Sequence, residues 1–140
     1  MNMTIKVKFR VWNTANNEFD YSDSPDSSCY LIALNGRLKD GNGNPYDENH
    51  VIQQFTGMTD NNGKDIYVGD ILKVKGYSGL FDEIGHDYLT VVTFSQGRFV
   101  TKTAKVLRDA HHQDYIGQDI FRHEFREITG NIFENQELLA

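Results

Sequence analysis

The chain has 140 residues, 39% of them hydrophobic, with 14 Lys plus Arg against 20 Asp plus Glu for a formal net charge of -6. This suits one ordinary folded domain or two very small ones, excludes a long disordered chain, and argues against a protein that neutralises a nucleic-acid backbone over a broad basic face. The longest apolar runs, 30–34 and 89–92, fall far short of the roughly 20 residues that cross a bilayer, no charged and then apolar leader opens the sequence, and Cys29 as sole cysteine excludes an intramolecular disulfide framework and suits a reducing compartment.

Glycine is frequent (12) and proline scarce (2), and polar turn residues recur between aromatic and β-branched stretches, which predicts a mainly β chain (β-rich α+β). In residues 5–12, Ile5, Val7, Phe9 and Val11 alternate with Lys6, Lys8 and Arg10, so a strand with one buried face is expected. A turn at 13–17, a return strand at 19–21 and a polar loop at 22–28 follow. The apolar run 29–34 reads as a buried strand, and Asn35-Gly36 as a type I′ hairpin turn leading into 37–39. Residues 40–44 form a glycine and asparagine loop, and 51–55 a further strand. Residues 56–64 lack periodicity and read as a connection, placing a subdomain boundary between 1–58 and 59–140.

The second half restarts at 65–68, turns at Gly69-Asp70 and continues as a strand at 71–75. Strands at 89–94 and 98–103 flank Ser95-Gln96-Gly97 as a hairpin. Residues 103–125 carry short pieces of helical spacing interrupted by Gly117. A strand at 127–133 and a helical turn at 134–139, docking Leu138 and Leu139, end the pattern. Gly130 within a strand suits a bulge or a close backbone approach.

Three stretches carry a resemblance. Residues 55–74, with Thr56-Gly57-Met58-Thr59-Asp60 and Asn62-Gly63-Lys64-Asp65-Ile66-Tyr67-Val68-Gly69-Asp70-Ile71, resemble the central signature of the YopX family. Ile128-Thr129-Gly130-Asn131-Ile132-Phe133-Glu134-Asn135 resembles the same family's closing motif, and Val7-Lys8-Phe9-Arg10-Val11-Trp12 its opening. The resemblance implies a small phage- or prophage-encoded protein, mainly β, in which an N-terminal β subdomain is followed by an SH3-like small β-barrel with a short C-terminal helical turn, the two also able to pack as one unit. It implies no reaction. The signature consists of turn glycines and core aliphatics, which specify a shape.

Candidate chemistry is thin. Asp40-Gly41-Asn42-Gly43-Asn44 begins like a calcium loop, but Pro45 and Val51 stand where the turn glycine and the bidentate glutamate belong, and Asp60 to Asp65 is better explained by an Asn62-Gly63 hairpin turn. His111, His112, Asp114 and His123 have the composition of a metal site without its spacing. Cys29 reads as a buried, inert thiol. No catalytic triad, P-loop or dinucleotide motif occurs. The reading is therefore of a protein that is not an enzyme, with no catalytic, cofactor-binding or metal-ligating residue.

Aromatic residues are in surplus, and Tyr46, Tyr77, Phe81, Tyr88 and Tyr115 sit in or beside polar loops. The loop 76–87 between two strands nominates Tyr77, Leu80, Phe81 and Tyr88 as protein-binding residues, by analogy with ligand loops of SH3-like barrels. The expected function is a non-enzymatic accessory protein in the host cytoplasm, acting through self-association or contact with a host protein, with no membrane partner. The alternative is a nucleic-acid-associated module, using Lys73, Lys75, Arg98, Lys102 and Lys105 as a local basic patch. A third reading is an acidic decoy that occupies a host nucleic-acid-binding protein.

Overall fold

The computed structural model describes residues 6–21, 30–76, 86–107, 118–119 and 126–140. Among these, strands predominate, and the helical piece is a single 3₁₀ turn, Gln136–Leu139, so the fold is mainly β. The chain divides into two compact units, Met1–Phe55 and Thr56–Ala140, against the boundary after residue 58 drawn from the sequence.

In the first unit, β1 (Phe9–Asn13) pairs antiparallel with β2 (Glu18–Tyr21) and with the start of β5 (His50–Thr59). The strand expected from the alternation is present, and its other face is covered too, since only 4% of Arg10 is exposed. Its Nε donates to Gln53 Oε1 at 2.8 Å, and its guanidinium lies 4.2 Å from the Phe19 ring centroid. A planar guanidinium can stack and hydrogen-bond at once, which permits burial that a lysine would resist. Trp12, on the same face, packs on Phe19 with centroids 4.8 Å apart.

A small hairpin of β3 (Leu31–Ile32) and β4 (Leu38–Lys39) completes this unit. The buried strand expected over 29–34 is corrected: it shrinks to two residues, and Leu31 and Ile32 are 50% and 39% exposed. A strand in a two-stranded ribbon has one partner, so apolarity alone does not bury it. The type I′ turn is corrected too. Gly36 N–H donates to the Ala33 carbonyl at 2.8 Å, and Gly36 has φ +81° while Asn35 does not enter the left-handed region. This is a type I turn over Leu34-Asn35 closed by a glycine bulge, whereas type I′ requires positive φ at both Asn35 and Gly36.

In the second unit, Thr56 to Thr59 continue β5 instead of forming a connection. Gly57, at φ +84°, interrupts the pleat, and the Thr56 hydroxyl donates to the Ile66 carbonyl at 2.8 Å while accepting the Met58 N–H at 3.2 Å. The kink removes the two-residue alternation that would have revealed the strand. Next come β6 (Asp65–Tyr67), β7 (Asp70–Gly76), β8 (His86–Ser95), β9 (Arg98–Val106), β10 (Gln118–Asp119) and β11 (Arg126–Asn131). A five-stranded sheet of order β10-β9-β8-β7-β11 curls into a half-barrel. Its core is Ile66, Leu72, Val74, Tyr88 and Val92, with Met58, Phe99 and Ile128 packed against them. Each such side chain contributes about 1.5–3 kcal/mol by leaving water.

The β8–β9 hairpin turns through Gln96 (φ +52°) and Gly97 (φ +76°), with Ser95 paired to Arg98, so the type I′ geometry belongs here. Of residues 105–125, where helical pieces are expected, 105–107 and β10 are described, and β10 pairs with β9.

The middle and closing motifs of the sequence meet in this unit. Asp60 Oδ1 accepts the N–H groups of Asn62 and Lys64 at 2.8 and 2.9 Å, and Oδ2 accepts that of Ile128 at 3.1 Å. Asn61 N–H donates to the Arg126 carbonyl at 2.9 Å, and Arg126 N–H returns a bond to Asn61 Oδ1 at 2.5 Å. The β11–β7 register shifts between Ile128 and Gly130, the bulge expected at Gly130. A Cβ there would lie 2.5 Å from Asn135 Oδ1, which itself accepts the Asn131 N–H at 3.2 Å.

Candidate functional site

Of the nominated protein-binding residues, Tyr77, Leu80 and Phe81 lie outside the described residues, as do Tyr115, Cys29, His111, His112, Asp114 and His123. Tyr88 is not a loop residue. It lies in β8, paired with Val74 and Val106, and only 6% of it is exposed in the half-barrel core, because it falls on the inward face of the pleat with Thr90 and Val92.

Of the basic candidates, Lys73, Arg98, Lys102 and Lys105 share a face. Lys73 pairs with Leu89, which pairs with Lys105; Val91 pairs with Lys102, and Ser95 with Arg98. The bulge between Leu89 and Thr90 inserts one residue in β9, which brings Lys102 and Lys105 to the same side although they are three apart. An acid lies in this patch, since Glu127 stands opposite Lys73. Lys105 Nζ donates to the Ala140 carbonyl at 3.0 Å.

The calcium-like loop is a turn. Asp40 Oδ1 accepts the N–H groups of Asn42 and Asn44, both at 2.9 Å, and Gly43 at φ +83° closes it. Among the described residues no group of three or more His, Cys, Asp or Glu is placed to hold a metal ion.

The feature that sequence reasoning missed is in the first unit. On the face of β1 opposite Arg10, a cavity of about 190 Å³ is walled by Phe9, Val11, Ile32 and Leu38 and edged by Tyr21, Tyr30 and Asp20. The Tyr30 hydroxyl donates to Asp20 Oδ2 at 2.5 Å. Register explains the placement, since Val11 pairs with Asp20 and puts both on one side of the ribbon. Beyond Leu38 a shallower cleft is lined by Arg37, Pro45, Tyr46, Asp47 and His50. There Tyr46 stacks on His50 with centroids 4.5 Å apart, and Asp47 Oδ1 lies 3.0 Å from His50 Nδ1. The His50 ring and the Asn49 N–H hold the exposed Asp47 carboxyl below its ordinary value. The one sequence signal was a carboxylate between two aromatics, Phe19-Asp20-Tyr21, in a short strand.

Exposed apolar residues of this unit are Tyr21 (38% exposed), on the Arg10 face of β2, and Leu31, Ile32 and the fully exposed Leu34 in and beside the β3–β4 hairpin, of which Ile32 lines the cavity. No helix of the described residues is long and apolar enough to cross a membrane.

Comparison with known proteins gives a consistent result. No curated protein matches the sequence. Among solved structures, protein EF1440 from Enterococcus faecalis is similar at 25% sequence identity, with a TM-score of 0.57, over 98% of this chain and 100% of that one. The family model described as YopX protein matches residues 8–140, a span that includes the interlocked turns and the closing bulge. The chain belongs to the YopX family.

Proposed function

We propose that the protein is a non-enzymatic phage or prophage accessory protein that acts in the host cytoplasm through protein–protein contacts, either with copies of itself or with a host factor. The observation that supports this reading is the exposed Leu31, Ile32 and Leu34 in and beside the β3–β4 hairpin, where Ile32 lines an open cavity, since exposed apolar surface is commonly covered by a partner. The half-barrel of the second unit is read as an SH3-like barrel, a scaffold suited to presenting loops. The interlocked signature residues fit the same view, because their polar atoms serve turns and strand pairing.

The test is light scattering of the intact protein across concentration, with Leu31→Ser/Leu34→Ser as the variant. The expected outcome is a mass above the monomer that the variant reduces without shifting the unfolding midpoint. A strict monomer that also retains no host protein counts against the reading. A second reading, a nucleic-acid-associated module, is favoured by Arg98, Lys102 and Lys105 on one face of the sheet. Binding to DNA or RNA that falls steeply with salt would select it.

A further inference from the structure

The Asp20 carboxylate edges a largely apolar cavity, and among the described residues its side-chain partner is the Tyr30 hydroxyl, with no cation paired to it. A half-buried carboxylate is ordinarily balanced by a cation or by several donors. The walls are apolar on one side (Phe9, Val11, Ile32, Leu38), and Tyr30 stands with Asp20 at the edge. That pattern matches an alkyl stem ending in a positive charge: methylenes against the apolar wall, the ammonium at the carboxylate beside the Tyr30 ring. The size agrees, since an apolar cavity of about 150 Å³ accommodates a benzene molecule and this one is about 190 Å³.

We propose that this cavity is the anchor pocket for a lysine side chain of a partner polypeptide, with Asp20 as the counter-ion. The inference rests on the protein-contact reading above and names the chemistry of that contact. The exposed Ile32 supplies an apolar rim that would flank the inserted residue, while the Asp20 carboxylate supplies its selectivity. The Tyr30 hydroxyl occupies Asp20 Oδ2 and so competes with the incoming ammonium.

The experiment titrates the intact protein with the pentapeptide Gly-Gly-Lys-Gly-Gly, its norleucine counterpart and n-butylammonium, following backbone amide shifts of Asp20, Tyr21 and Ile32. The lysine peptide is expected to give saturable shifts, the norleucine peptide to bind about tenfold more weakly or worse, and Asp20→Asn to remove that preference. Tyr30→Phe keeps the carboxylate and is expected to retain or tighten lysine binding, which guards against a variant that merely misfolds. Equal binding of the lysine and norleucine peptides, no saturable shift, or an Asp20→Asn protein with the preference intact would overturn the proposal. Response to n-butylammonium without response to the peptide would overturn the polypeptide occupant. Light scattering on the same samples separates the two readings: association that persists in Asp20→Asn, alongside an absent lysine response, overturns the pocket and leaves the protein-contact reading standing.

Discussion

The turns at 40–44 and 60–64 have nearly the same local chemistry and different structural weight. In both, an aspartate Oδ1 caps the N–H groups two and four residues on, and a glycine three residues on adopts positive φ, Gly43 in one and Gly63 in the other. In both, the glycine N–H returns to the aspartate carbonyl at 3.0 Å. Only the second turn reaches beyond itself, through Asp60 Oδ2 to Ile128 and Asn61 to Arg126. Local sequence is enough to build a turn; what the turn holds together depends on which strand passes beside it.

Breaking the aspartates should expose that difference most clearly. Asp60→Ala removes three hydrogen bonds to a buried charged acceptor, and at about 1 kcal/mol each it should destabilise the protein by about 3 kcal/mol in urea unfolding. The same comparison has a pH form. Burial pushes the Asp60 carboxyl up, but the N–H groups of Lys64, Ile128 and Asn62 outweigh it and hold it below the ordinary 3.8. A carboxylate whose folded pKa is depressed contributes stability that is complete above its unfolded value and lost as pH falls through the folded one. Stability should therefore decline below about pH 4, and Asp60→Asn should flatten that decline by removing the titrating group.

A smaller effect is expected where the closing motif makes its own tight contact. Gly130→Ala places a methyl 2.5 Å from Asn135 Oδ1, so Asn135 must shift and release the Asn131 N–H. The expected loss is about 2 kcal/mol, in the range of overpacking, and Asn135→Gly in the same chain should recover part of it in thermal unfolding. Smaller still, Gly43→Ala and Gly63→Ala should each cost about 1 kcal/mol, because the penalty of left-handed backbone for an L-residue is local. Near-equal losses from the glycines and unequal losses from the aspartates would sharpen the distinction. The smallest effect is Asp40→Ala, at about 0.5 kcal/mol, for a turn whose donors can turn to water. A loss matching that of Asp60→Ala would break the comparison.

The places where sequence reading failed share a cause. Residues 56–59 did not read as strand because Gly57 removes the alternation that marks one. Arg10 did not read as buried because charge predicts exposure unless a ring and an amide wait on neighbouring strands, as Phe19 and Gln53 do. Tyr88 was counted with a loop because its neighbours in sequence are polar, yet the pleat turns it inward.

What the sequence by itself determined is the set of local conformations: β1, the glycine-closed turns, the 95–98 hairpin, the bulge at Gly130 and the final helical turn, along with family membership. Each depends on residues within a few positions of one another, where sterics and short hydrogen bonds decide the outcome. Only the tertiary structure decided which face of β1 is covered, that Asp60 and Asn61 grip β11, that Lys73 of β7 stands opposite Glu127, and that Asp20 edges a cavity. Those depend on strand register across dozens of residues, and one position of slip would exchange the two faces.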